Sequence, residues 1–286
     1  MQYEGIDRAI LPVSDMAAAC APFERLGLIV SPERAPKGRG IRVRAVPIGG
    51  PDNLFELHLV SGTDEGGAGW DAFSSVADQG LSTIVLRVTD LAETLAGLAK
   101  HGIAPTETQT VLNADGSKRS ELAVLPELPD AGVRLRLIQH YQSGAEIFAE
   151  HTGGKEHATP LKRLDHLAAV APDLETACRF WDEVLGIPTV GEVVSPTVVV
   201  RQLRIGDAMF ELLGPATPDS PIRQRPPGLN SMFSVEVPDL DAAVAHVEAA
   251  GFTLAERRIG TLPGTIIAVI PGTQTSGVNV QFLQYV

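Results

Sequence analysis

Glu56 and His58 stand two residues apart in LFELHLV, a carboxylate and an imidazole that an extended strand turns to one face. Those are the side-chain types of an acid–base or ligand-holding surface, although a satisfied core or rim histidine is the plainer expectation. His140, His151 and His157 crowd a second stretch, but their spacings of 11 and 6 fit neither a helix face nor a short metal motif. Solvent-exposed or packing roles are expected for them. Arg223 and Arg225 lie between prolines in TPDSPIRQRPPG, a loop able either to meet an anion or to stand solvated. No G-x-S-x-G, P-loop or C-x-x-C pattern occurs, so hydrolase, nucleotide and zinc-ribbon chemistry lack support and no nucleotide cofactor is expected.

The elements that must position such residues come from a repeat. RLDHLAAVAPDLETACRFWDEVLGI (163–187) repeats GIDRAILPVSDMAAACAPFERLGL (5–28): an offset of 158 carries Arg8, Asp15 and Cys20 onto His166, Asp173 and Cys178. A fainter pair, STIVLRVTDLAETLAGLAKHGI (82–103) and SMFSVEVPDLDAAVAHVEAAGF (231–252), aligns at 149 and matches Asp90 to Asp239. Each of the four units opens with a β-branched strand, places Asp at a helix N-cap, and runs an amphipathic helix to Gly27, Gly102, Gly186 or Gly251. Further strands follow each glycine, giving β-α-β-β-β four times. The stretch 142–161 has little apolar periodicity and reads as the longest irregular connection, so the expected division is 1–141, linker 142–161, and 162–286.

Composition narrows the partners. The formal net charge of −12 repels phosphate backbones and anionic membranes. No apolar run reaches the roughly 18 residues of a membrane-crossing helix. MQYEGIDR shows neither a basic n-region nor an apolar h-region, so secretion by that route is not expected. Two cysteines on the apolar sides of predicted helices read as small buried hydrophobes, and the cytoplasm is the default address.

LDHLAAVAPDLETACRFWDEVLGI, MFELLGPATPDSPI, GLNSMFSVEVPDLDAAV and SGVNVQFLQYV, in that order, resemble the vicinal oxygen chelate superfamily of glyoxalases, epimerases, bleomycin-resistance proteins and extradiol dioxygenases. The first half resembles tandem glyoxalase-like proteins, in which a QH pair (here Gln139-His140) precedes a His-containing linker (here His151). The resemblance implies an α+β fold: four βαβββ modules forming two glyoxalase-like domains with curved mixed sheets, each a cup with four inward-facing floor positions. Carried over position by position, it implies His166, Glu211, Met232 and Gln281 in the second domain, with Ser231 replacing Met232 if the register slips by one. In the first domain it implies Arg8, Glu56, Thr83 and Arg136.

The second quartet lacks the two histidines and carboxylate of an iron-dependent ring-cleaving site. Two readings stay open for it. Either His166, Glu211 and Gln281 hold a divalent metal weakly, or they hydrogen-bond to one another in a metal-free floor. Met232 offers a thioether, a poor ligand for hard cations. Arg8 and Arg136 cannot coordinate a cation. With Glu56 they form a charge-compensated cluster, or leave one arginine to grip an anionic substrate, and His58 extends that surface.

The implied activity is glyoxalase- or epimerase-like, with Glu211 and His166 assisting proton transfer in a small carbonyl-containing molecule. Arg8, Glu56, His58, Arg136 and Met232 are its candidate substrate contacts. The alternative is sequestration of a small organic molecule in the manner of bleomycin resistance, and a divergent dioxygenase ranks third. Few aromatic residues (5%) argue against a large stacking platform. No nucleic-acid or membrane partner is expected, and a homodimer stays open.

Overall fold

A computed structural model describes residues 1–260 and 262–286. The first module holds β1 (Tyr3–Pro12), α1 (Met16–Arg25), β2 (Ile41–Ile48) and β3 (Phe55–Gly62), followed by α2 (Ala68–Ser74). The second holds β4 (Thr83–Val88), α3 (Leu91–Ala99), β5 (Glu107–Leu112), β6 (Lys118–Val124) and β7 (Arg134–His140), and α4 (Gly144–Thr152) follows it. In the third are β8 (Arg163–Val170), α5 (Leu174–Arg179) continuing as a π-helical turn over Phe180–Val184, β9 (Thr189–Val194), β10 (Val198–Ile205) and β11 (Ala208–Pro215). The fourth is β12 (Gly228–Glu236), α6 (Leu240–Ala249), β13 (Glu256–Ile259), β14 (Thr265–Ile270) and β15 (Asn279–Tyr285).

The repeated aspartates do the same work four times. The carboxylates of Asp15, Asp90, Asp173 and Asp239 accept the N–H groups of Ala18, Glu93, Thr176 and Ala242 at 2.8–3.0 Å. Each satisfies an otherwise orphaned helix donor, worth about 1 kcal/mol. The glycines that close these helices all have positive φ, between 73° and 81°, where a side chain would be strained.

Strand order is β2-β3-β1-β4-β7-β6-β5 in one sheet and β13-β14-β15-β12-β8-β11-β10-β9 in the other. Within each module the first strand runs parallel to the last, as β1 to β3 and β8 to β11, while the remaining pairs are antiparallel. Two mixed sheets with helices give the α+β class. The first module departs from the repeat: in place of a strand before β2 it has one bridge, Arg34 to Val43. Pro32 and Pro36 in that stretch supply no N–H to a ladder.

By backbone contacts the chain forms two compact units, and neither is continuous in sequence. One comprises Met1–Asp7, Thr83–Ser143 and His166–Asn230; the other comprises Arg8–Ser82, Gly144–Asp165 and Ser231–Val286. Trp181 and Phe210 lead the buried side chains of the first, and Phe23, Phe55, Phe233 and Phe282 those of the second. The connection read as irregular contains α4, which buries Ile147 and His151 one turn apart. Among the described residues no helix is long and apolar enough to cross a membrane.

Candidate functional site

In the second unit, the register of β1 on β3 pairs Arg8 with Glu56 and Ile10 with His58. Arg8, Glu56 and His58 therefore share a face. The Nε2–H of His58 donates to Glu56 Oε2 at 2.9 Å, and the Nδ1–H of His151 donates to Glu56 Oε1. Arg8 Nη1 lies 3.4 Å from His58 Nδ1, the nitrogen that this tautomer leaves as acceptor. Burial opposes the charge on Glu56, but His58, the hydrogen bond from His151 and the Arg8 guanidinium outweigh it and hold the carboxyl well below its usual range. Burial and Arg8 push His58 down to about 4, against the pull of Glu56. Glu56 is thus an ionised carboxylate already committed to its partners.

That arrangement has a measurable cost in acid. An unfolded His58 titrates near 6.5 and the folded one at about 4, so between those values the unfolded chain binds the extra proton. Stability is complete above pH 6.5 and is lost as pH falls toward 4, by about 3 kcal/mol at roughly 1.4 kcal/mol per pH unit. Urea midpoints measured from pH 7 to 4 should show the slope, and His58→Gln should flatten it.

The other two residues of that quartet lie in the first unit. Thr83 and Arg136 face the same way, through the β4–β7 pairs Thr83–Arg134 and Val85–Arg136. His140 and Gln139 have structural work in that unit. Buried Asp7 accepts from His140 Nε2 at 2.8 Å and from Arg87 Nε at 3.2 Å, and the Gln139 amide oxygen accepts the N–H of Leu91 at the start of α3. The repeat writes the same device in the second unit. Asp165, 158 residues after Asp7, accepts from Tyr285 Oη at 2.7 Å, and Gln284 accepts the N–H of Leu240 at the start of α6. His157 bridges backbone groups, accepting from the N–H of Ile29 and donating to the carbonyl of Pro47.

His166 and Glu211 fall together in the first unit. Register pairs His166 with Met209, Ala168 with Glu211, Glu211 with Gln202, and Gln202 with Gly191. His166, Met209, Glu211 and Gln202 thus occupy one face of β8-β11-β10. The opposite face carries Leu167, Leu203, Phe210 and Leu212, all fully buried, with Phe210 against the Trp181 ring at 4.8 Å between centroids. Glu211 is 8% exposed. The Gln202 amide donates to its Oε1 at 3.0 Å. Among the described residues this is its one hydrogen bond, and no cation pairs with it. Glu211 therefore has what Glu56 lacks, an oxygen available to a visiting proton.

Gln281 lies in the second unit and donates through Nε2 to Ser234 Oγ at 2.9 Å, its register partner. Met232 pairs with Asn279 on the same face as Ser234. Counting from the helix cap picks out Met232; the side chain that meets Gln281 is Ser234, fully buried. Gln202 also escaped sequence reasoning, because a half-buried glutamine in an alternating strand gives no signal until its partner strand is known. His151, expected in a solvent-exposed or packing role within a linker, is buried on α4 and donates to Glu56.

The divalent ion implied by the resemblance needs a converging set of hard donors. Among the described residues no three His, Cys, Asp or Glu side chains are grouped to hold a metal. The remaining floor positions offer an amide, a thioether, one hydroxyl (Thr83) and two guanidiniums. This donor set does not fit the ion, and no chemistry is assigned to one.

Residues 163–282 match the family model of the Glyoxalase/Bleomycin resistance protein/Dioxygenase superfamily, and residues 6–185 match that of the glyoxalase-like domain. Mitochondrial methylmalonyl-CoA epimerase from Homo sapiens is 35% identical over 94 residues, which cover 31% of this chain and 53% of that protein. The chain thus spans about half the length of the human protein. The Bos taurus epimerase is 31% identical over 132 residues, 43% of this chain and 75% of that protein. A variant of 4-hydroxymandelate synthase from Streptomyces coelicolor superposes over 100% of this chain and 93% of its own, with a TM-score of 0.73 at 13% identity, a likeness of fold. Repeated modules, mixed sheets and sequence matches agree: the chain belongs to the glyoxalase/bleomycin resistance/dioxygenase superfamily, the vicinal oxygen chelate fold.

Proposed function

We propose that the protein transfers a proton at a carbon next to a carbonyl in a small organic molecule, with Glu211 as the base and His166 beside it. The observation that carries this reading is the state of the two buried carboxylates. Glu56 accepts from two imidazoles and lies in the field of the Arg8 guanidinium, whereas Glu211 keeps one oxygen unclaimed on a less buried face. A base needs a lone pair within reach of the substrate, and Glu211 has one. In the forward step the C–H proton passes to Glu211 Oε2 and the electron pair moves onto the carbonyl oxygen as an enolate. His166, on the same face, donates a hydrogen bond to that oxygen. Return of the proton to a neighbouring carbon completes an isomerisation; loss of the proton from Glu211 to water, with reprotonation of the same carbon by water on its opposite face, completes an epimerisation. The epimerase relatives support the reaction class. Arg8, Glu56 and His58 serve in this reading as a charge-balanced support.

The test is deuterium exchange in D2O, followed by proton NMR, on methylmalonyl-CoA and a panel of α-protonated ketones and thioesters. The protein is first dialysed against chelator. Exchange into at least one member, abolished by Glu211→Gln, is expected. No exchange into any member, with an organic molecule retained through purification, would make the protein a sequestering one and overturn the reading.

A further inference from the structure

We infer that Gln202 is the positioning residue that sets the orientation of Glu211, and that Gly191 is the space that permits it. The inference rests on Glu211 acting as the base. Three observations meet at this point. The Gln202 side chain lies across the strand pair and gives its Nε2–H to Glu211 Oε1. The β9–β10 ladder shifts register between Gln202 and Leu203, the kind of irregularity that re-aims a side chain. Opposite Gln202 stands Gly191, where an added Cβ would come within 2.7 Å of Gln202 Oε1. Gly191 does not have positive φ, so it is there for room and not for backbone freedom.

The consequence is chemical. An amide donor on Oε1 stabilises the carboxylate form and holds the group in one rotamer, which leaves Oε2 presented to the substrate. Asp or Glu in place of Gln202 would repel the base, and an apolar side chain would leave it unoriented. Glutamine can donate without neutralising the charge that proton abstraction requires, as an arginine would.

The experiment is the pH profile of deuterium exchange, on the panel member that wild type exchanges, for wild type, Gln202→Leu, Gln202→Glu, Gly191→Ala and Glu211→Gln. Losing a donor to the charged form moves the midpoint of the Gln202→Leu profile upward by about one pH unit and lowers its plateau about tenfold. Gln202→Glu moves it further, because two adjacent carboxylates share a proton. Gly191→Ala moves it less, in the same direction, and adds nothing on top of Gln202→Leu. A general loss of fold would lower rates without moving the midpoint. Undiminished exchange in Glu211→Gln sinks the base itself. Exchange lost in Glu211→Gln but with an unmoved profile in Gln202→Leu and Gln202→Glu overturns the role of Gln202 alone.

Discussion

Glu211→Gln should slow proton exchange by about 10²- to 10⁴-fold, the usual contribution of a positioned general base, while leaving the melting temperature nearly unchanged. The two halves of that result come from the same geometry. Glutamine keeps the volume and can still meet the Gln202 amide, so the fold loses little; it has no basic lone pair for a C–H proton, so the chemistry loses its acceptor. Glu56→Gln should do the reverse. There the carboxylate accepts from His58 and His151 and faces the charge of half-buried Arg8, and a neutral amide removes that charge balance and one of the acceptors the two imidazoles need. Exchange rates and denaturation midpoints measured on both variants should therefore cross over. If Glu211→Gln exchanged normally and Glu56→Gln did not, the assignment of the two carboxylates would be inverted.

Trp181→Ala should cost about 3–5 kcal/mol of stability, the range for emptying a large aromatic site. Its side chain is fully buried, its ring packs on Phe210, and its Nε1–H donates to the Ala131 carbonyl at 2.9 Å. Trp181→Phe separates the two contributions. It keeps most of the ring contact but removes the donor, leaving a buried carbonyl unpaired at about 1–3 kcal/mol. Phe210 precedes Glu211 on β11, so the ring on one side of the strand backs the carboxylate on the other. Urea denaturation of the three proteins, read by circular dichroism, gives the energies. A Trp181→Ala protein within 1 kcal/mol of wild type would show that this core collapses around the gap.

What the chain discloses in its letters follows the range of the interactions concerned. Helix starts and stops are set within a few residues, so Asp15, Asp90, Asp173 and Asp239 could be matched to their glycine stops, and four repeats made the α+β class legible. The shared face of Glu56 and His58 needed only the two-residue period of a strand. Longer-range pairings were hidden. Gln202 becomes informative only once β10 lies against β11, nine residues away across a turn. That Ser234 meets Gln281 is set by strand register, which distance from a helix cap does not give. α4 was obscured by the glycines and charged residues around it; its burial comes from tertiary packing, as with most short helices. The missing strand of the first module was written in Pro32 and Pro36, which a repeat-based reading smooths over.

The interleaved make-up of the compact units bears on how this protein comes off the ribosome. One needs residues as late as Asn230 and the other needs Val286, so neither compact unit can close until most of the chain is made. Strand β1 nonetheless meets its sheet neighbours β3 and β4 within the first 88 residues. Early nascent chains of this protein can therefore pair the strands of the β1–β7 sheet by His140 yet leave apolar surface of both units uncovered until late in translation. Such incompletely packed intermediates are the ones on which chaperones act.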